Sequence, residues 1–481
     1  MGRAKQSQHV ELDIVEFSKK GNGVGFIKQK EKLLPVEVPF TIPGDYIHAS
    51  VQFKRQKATA HCAEIVNPSP NRIKPKCIHF GVCGGCRWQQ IPYDEQLKLK
   101  EQKIHRLFAN YLSAPKCILP IVPCEDPWKY RNKMEFTFSS DLSQNQFLGL
   151  IMDSSRGKVI NLLECHLTNS WFIDALTAVR EWWSNSSLDA YHHYRNTGSL
   201  RTLTVREGQR TGDRMVILTV SGNPDYALNN TDLVQFVSIL RNTIEPKDSA
   251  SKLSIFLRIH QIAKNTATQF YEMLLFGPDI IREKLSIQNV PGDLVAELEF
   301  KISPAAFFQP NSRQAERLYS LAMQLAAVSS LDVVYDLYCG TGTLSICLAK
   351  MAKMVIGIEI CPEAVLDAEA NAIQNTCANV HFLCGTVHEQ LTKITEENLY
   401  PSPDLVVVDP PRAGLDLQTI NQLVKLKPKN ILYVSCNPVT QEENVKDLIA
   451  HGYAVEAVQP VDQFPHTVHI ENIVVLVRVD N

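Results

Sequence analysis

From about residue 301 onward the chain alternates apolar, strand-like runs with helix-forming stretches: VVYDL at 333–337, MVIGIEI at 354–360, LVVV at 405–408 and NILYVS at 430–435. Parallel strands cannot be joined by a tight turn, because the chain must cross back before it runs in the same direction again, and a helix is the usual crossover. The alternation therefore predicts a doubly wound parallel α/β sheet, Rossmann-like, in which ligands gather at the carboxyl ends of the strands. Residues standing just after these runs are the candidates for chemistry.

After the first run, Tyr338 leads into CGTG, where Gly340 and Gly342 let a ligand approach the backbone at a helix N-terminus. Glu359 closes the second run at the interval where a carboxylate meets a ribose hydroxyl. These two features alone also suit a nicotinamide or flavin enzyme. Asp409 closes the third run and precedes two prolines that stiffen the backbone, a strand end typical of S-adenosylmethionine enzymes acting on bases or amides. Cys436 follows the fourth run between Ser435 and Asn437, placed as a nucleophile would be, although a plain buried thiol would read the same way. Farther on, His469 and Glu471 alternate with Val468 and Ile470, so the two polar side chains are expected to share a strand face.

The first ~66 residues read as about five short strands, interrupted by Gly21, Gly23 and Gly25. That count and the basic loops fit an OB-like barrel, whose open face commonly takes single-stranded nucleic acid. Residues 1–76 hold 13 Lys and Arg against 7 Asp and Glu, whereas the whole chain carries a net charge of −2. A basic end on a mildly acidic body suits an enzyme that holds a polyanion at one end, although a solvated charged face would look alike. Residues 95–112 are expected to form one helix with Ile104, Leu107, Phe108, Tyr111 and Leu112 as its apolar stripe. Residues 127–300 read as a β-rich region.

Between barrel and helix lies CIHFGVCGGC, in which Cys77, Cys83 and Cys86 are spaced C-x5-C-x2-C, with Cys165 the best candidate for a fourth ligand at the end of a strand-like segment. Four thiolates suit zinc or an iron–sulfur cluster, and a lone C-x2-C knuckle favours the cluster. His79 and His166 are read as hydrogen-bonding neighbours rather than ligands. Thirteen cysteines, an odd number scattered through 481 residues, do not form a secreted disulfide framework. No apolar run approaches the ~18–20 residues a bilayer span needs, and the polar start has no signal-peptide core, so a cytoplasmic protein without membrane attachment is expected.

Taken in order, DLYCGTGTLS, GIEI, DPPRAGL, SCNP and FPHTVHIE resemble the uracil-5 RNA methyltransferase family, densely over 301–481. SPAAFFQPN at 303–311 is similar to the motif that opens its catalytic domain, although Pro310 stands where an aliphatic residue is expected, and YRNKMEFTF at 130–138 is similar to its central-domain signature. The barrel resembles the TRAM domain, and the four cysteines resemble the 4Fe–4S ligands, of the branch acting on 23S ribosomal RNA; the transfer-RNA branch lacks both. The resemblance implies a TRAM barrel at 1–66, a central cluster-bearing domain at 67–300, whose helix 95–112 is expected to pack on the catalytic domain, and that catalytic domain at 301–481. It implies S-adenosylmethionine held by Gln309, Tyr338, Glu359 and Asp409, Cys436 as nucleophile, Glu471 as general base, an RNA partner and a monomer. Two rivals remain: a non-catalytic RNA-binding assembly factor on the same fold, and a radical S-adenosylmethionine enzyme, which would need C-x3-C-x2-C.

Overall fold

The computed structural model describes residues 7–29, 32–54, 57–111, 117–155, 157–261, 269–288 and 294–479. Its first sheet holds β1 (Ser7–Asp13), β2 (Glu16–Phe17), β3 (Gly23–Gln29), β4 (Lys32–Val38), β5 (Tyr46–Lys54) and β6 (Lys57–Asn67), in the order β1-β5-β6-β4-β3-β2. Its two outer strands, β1 and β2, are one bent segment broken only at Ile14 and Val15, so the sheet curls back on itself. That bend is why six strands appear where about five were expected. Ile14 turns inward at the bend to join Leu12, Val36, Val38 and Ile47. A side chain at Gly23 would collide with Ile14 Cγ2 at 2.6 Å, so the close crossing requires glycine there.

Helix α1 (Tyr93–Phe108) starts earlier and ends sooner than expected, continuing as one 3₁₀ turn to Tyr111; Leu112 lies outside the described residues. Its buried side chains, Gln96, Lys100, Ile104 and Phe108, recur every fourth residue, but two of them are polar. Ile104 and Phe108 enter the same core as Val445, Leu448 and Val458. Lys100 Nζ meets Asp462 Oδ1 at 2.6 Å, with both side chains fully buried. Removing one partner of such a pair strands the other charge without water, which costs about 3–5 kcal/mol. Lys100→Met is therefore expected to lower the unfolding free energy read from urea denaturation by that much, and a change below about 1 kcal/mol would show that the pair contributes little.

The second sheet contains β7 (Lys133–Ser140), β8 (Gln146–Gly149), β9 (Leu200–Glu207), β10 (Arg214–Ser221), β11 (Leu253–Gln261) and β12 (Gln269–Phe276), in the order β12-β11-β10-β9-β7-β8. Helices α2 (Trp171–Ser184) and α3 (Asn230–Ile244) bury Phe172, Trp182, Trp183 and Phe236 in its core. A hairpin of β13 (Ile281–Gln288) and β14 (Leu294–Ile302) leads to α4 (Ser312–Leu325).

The last sheet is the predicted one. Its strands β15 (Val333–Leu337), β16 (Met354–Glu359), β17 (Val380–Cys384), β18 (Leu405–Val408) and β19 (Asn430–Ser435) are parallel, separated in the chain by α5 (Thr343–Ala349), α6 (Pro362–Gln374), α7 (Val387–Glu397) and α8 (Leu417–Leu426). After α9 (Pro438–Ala450) come β20 (Tyr453–Val461) and β21 (Glu471–Arg478), and the order is β17-β16-β15-β18-β19-β21-β20. At this end the sheet ceases to be parallel. No helix separates β20 from β21, so they pair antiparallel, and β21 enters between β20 and β19 running against both. Bridges from Ile118 and Val122 run along β20. Among the described residues no helix is long and apolar enough to cross a membrane.

Candidate active site

The strand ends gather the candidate residues. Tyr338 leaves β15 with a positive φ of 67°, and the turn that follows enters α5. Gly342, at φ 74°, is packed so closely that a side chain would meet Phe382 Cζ at 2.7 Å. Gly340, at φ 55°, faces open space instead, with nothing within 4 Å of where its Cβ would stand. At the rim of that space, the Glu359 carboxylate accepts from Gly340 N and Cys361 N, each at 3.0 Å. Beneath the turn, burial pushes Asp336 up to about 7, and Ser345 Oγ donates to it at 2.5 Å. The result is an open pocket floor with a fixed carboxylate beside it, the shape a nucleoside-bearing cofactor needs.

Asp409 follows β18 and Cys436 follows β19. Because β21 runs against β19 with Asn472 opposite Ser435, Glu471 arrives next to Cys436. Burial lifts Asp409 to about 7. Burial also holds Glu471 well above the ordinary carboxylate range, reinforced by the charge of Asp409 and opposed by Arg412. The half-buried Cys436 thiol is raised by burial and then by Glu471 and Asp409; the Arg412 guanidinium pulls it down through charge and a hydrogen bond. The Arg412 carbonyl in turn accepts from Asn437 Nδ2 at 2.9 Å, so the DPPR segment is tied to the loop carrying the thiol. Tyr433 feels the charges of Tyr338, Asp409 and Cys436, joining the open turn to the thiol group. Such a set places a thiol beside a carboxyl with which it can exchange a proton, with the Arg412 guanidinium at hand to steady a thiolate.

Gln309 stands apart from this group. Its backbone carbonyl accepts from Asn132 Nδ2 at 2.9 Å, and its side-chain oxygen from Gln463 Nε2 at 3.4 Å; among the described residues no hydrogen bond ties it to Cys436, Asp409 or Glu471. His469 and Glu471 do not share a strand face as expected, since β21 begins only at Glu471, although the charge of Arg412 reaches both. The Gln96, Lys100 and Asp462 contacts that fix the loop before Glu471 had no sequence signal.

Cys77, Cys83, Cys86 and Cys165 line one cavity of about 420 Å³, together with Arg131, Glu135, Arg412 and His469. Cys165 lies on an extended segment outside any strand, contrary to the strand-end reading. Burial raises all four thiols, Cys83 to about 11 and Cys86 to about 12, with the other cysteines' charges adding to three of them. His79 Nε2 accepts from Leu163 N at 2.9 Å and His166 meets Glu164 at 3.2 Å, the neighbour roles expected of them. Among the described residues, no three His, Cys, Asp or Glu side chains converge closely enough to hold one metal ion.

The whole fold is similar to that of Pyrococcus abyssi tRNA (uracil-54, C5)-methyltransferase, solved in complex with S-adenosyl-L-homocysteine, with a TM-score of 0.71 and 25% identity over 97% of this chain and 99% of the other. The architecture is thus a mixed α/β methyltransferase fold. The sequence model described as tRNA (Uracil-5-)-methyltransferase matches residues 242–479. An uncharacterized RNA methyltransferase of Protochlamydia amoebophila (strain UWE25) is 54% identical over 92% of this chain and 99% of its own length. Another, from Clostridium acetobutylicum, is 34% identical over 99% and 98%. The chain belongs to the RNA (uracil-5-)-methyltransferase family.

Proposed function

We propose that the protein methylates carbon 5 of a uridine in 23S ribosomal RNA, with S-adenosylmethionine as donor and Cys436 as covalent nucleophile. The observation that carries this reading is the meeting of Cys436, Glu471 and Arg412 at adjoining strand ends. Carbon 5 of uracil is too weak a nucleophile to take a methyl group unaided. The Cys436 thiolate adds to carbon 6, which makes an enolate of the ring and a nucleophile of carbon 5. S-Adenosylmethionine supplies the methyl group as an activated sulfonium. Glu471 then takes the proton from carbon 5, and the carbon–sulfur bond breaks to return the thiolate. The open floor at Gly340 and the carboxylate of Glu359 fit the donor's nucleoside, and Tyr338, Asp409 and Gln309 would complete its site. The uridine must leave any stack to reach Cys436.

The four cysteines fit a 4Fe–4S cluster better than zinc. The four line one cavity, and a lone C-x2-C knuckle is not the paired pattern of a zinc ribbon. Bound there, the cluster would staple the 77–86 loop to the Cys165 segment. The protein purified without oxygen is then expected to contain roughly four iron atoms per chain. Cys165→Ser should lose most of the iron and the visible absorbance; full retention would remove Cys165 from the ligand set.

On this reading the N-terminal sheet is an OB-like TRAM barrel at 1–66 that grips RNA, followed by a central domain at 67–300 and a catalytic domain at 301–481. A transfer-RNA substrate is the second reading, favoured by the end-to-end likeness to the archaeal enzyme. Incubation with labelled S-adenosylmethionine and each RNA class, prepared free of 5-methyluridine, decides the matter. Label in 5-methyluridine of ribosomal RNA is expected; label only in transfer RNA selects the second reading, and none in either discards both.

A further inference from the structure

One pair of charges outside this site breaks an ordinary rule of sheet construction. Lys133 opens β7 and stands directly across the ladder from Arg206 of β9. Like charges facing each other across neighbouring strands destabilise a sheet. Arg206 is 1% exposed, its Nη1 donates to Ala306 O at 2.7 Å, and its Nη2 is buried without a partner. Neither residue forms an ion pair with a described carboxylate; Glu283 and Asp367 act on Arg206 through charge alone. Arg258 of β11 reaches the same loop, donating to Pro304 O at 2.9 Å, but Glu272 neutralises it at 2.6 Å. Burial, followed by the charges of Arg206 and Arg258, brings Lys133 down to about 8.

The pair adjoins the nucleophile's surroundings. Arg131 and Glu135 both line the cavity that Arg412 reaches. Met134 lines it too, so half-buried Lys133 is the chain neighbour of lining residues, although it is not itself part of that lining. Arg412 and Arg131 thus bring positive charge to the cavity, with Glu135 beside them, and the Lys133–Arg206 pair adjoins it along the second sheet.

We infer that Lys133, backed by the buried charge of Arg206, holds a backbone phosphate of the RNA next to the nucleotide presented to Cys436. The phosphate relieves the repulsion across the ladder and favours the charged form of Lys133. An ammonium on a compact stem suits one phosphate oxygen, while the inaccessible guanidinium behind it contributes field without contact. The inference rests on the RNA reading above.

The test uses the full chain, wild type beside Lys133→Met and Lys133→Arg, with ribosomal RNA and a transfer-RNA transcript free of 5-methyluridine. Lys133→Met is expected to raise KM for the methylated RNA by about five- to tenfold, more than it lowers kcat, and Lys133→Arg to restore it. The slope of log affinity against log salt should fall by about 0.7, one counter-ion on a single strand. The melting midpoint should rise, because the like-charge pair is gone; a merely structural lysine would lower it and leave the salt slope alone. Unchanged KM and salt slope in Lys133→Met, with methylation intact in wild type, overturn this inference only. Absence of 5-methyluridine with wild type overturns the functional reading and this inference with it.

Discussion

Cys436→Ala is expected to abolish uridine methylation, lowering the rate on the order of 10⁴-fold or more, because in the proposed mechanism sulfur must add to carbon 6 before carbon 5 can react. The effect should not come from unfolding. Cys436 is half-buried just beyond β19, and loss of one sulfur there should change stability within about 1 kcal/mol. Nor should donor binding suffer, since the open turn at Gly340 and the Glu359 carboxylate belong to β15 and β16. The check is single-turnover methylation beside S-adenosylhomocysteine binding by calorimetry. Activity within tenfold of wild type, with binding intact, would mean that carbon 5 is activated in some other way.

Glu471→Gln should separate the two halves of the reaction. Glutamine keeps the shape but cannot accept the carbon 5 proton, so the methylated, sulfur-linked RNA should accumulate. Turnover should fall by about 10²–10⁴. Charge works in the same direction: the Glu471 carboxylate raises the Cys436 thiol, so a neutral residue eases thiolate formation. An RNA–protein band stable to denaturing electrophoresis, labelled from the methyl donor, is the expected sign, and its absence would remove Glu471 from the base role. In wild type, Glu471 must lose a proton held well above the ordinary carboxylate range, and Cys436 must ionise from a raised value, so turnover should climb as pH rises through neutrality. The variant's stability should move the other way from its activity. A buried carboxyl with a raised folded-state pKa loses stability as pH rises from its unfolded value to its folded one, and glutamine does not.

The parallel strands were legible because their apolar runs are dense and each ends at a turn, so Glu359, Asp409 and Cys436 could be placed at strand ends before any coordinates. What stayed hidden depends on pairing between distant segments. Nothing near Glu471 says that β21 inserts between β19 and β20, and only that register sets it beside Cys436. Lys100 and Asp462 are 362 residues apart, and a buried lysine in a helix reads as surface. Arg412 was visible in its motif, but its hold on the thiol follows from the fold. Cys165 was singled out as the end of a strand-like run, NLLEC, but that run makes only scattered backbone bonds to the 148–150 segment and forms no strand.

The helix that delivers Lys100 also bears on how the chain reaches its native state. Residues 93–122 contribute Ile104, Phe108 and the bridges along β20 to the last sheet, so a fragment beginning at residue 301 would leave that sheet with an open flank and an uncompensated acid. The covalent order of segments is therefore a poor guide to the units that fold. Closing so long a loop is entropically expensive and slow, and contacts of such sequence separation lower folding rates. Until α1 docks, the loop that sets Glu471 has no anchor, so catalytic competence should be the last property this chain acquires.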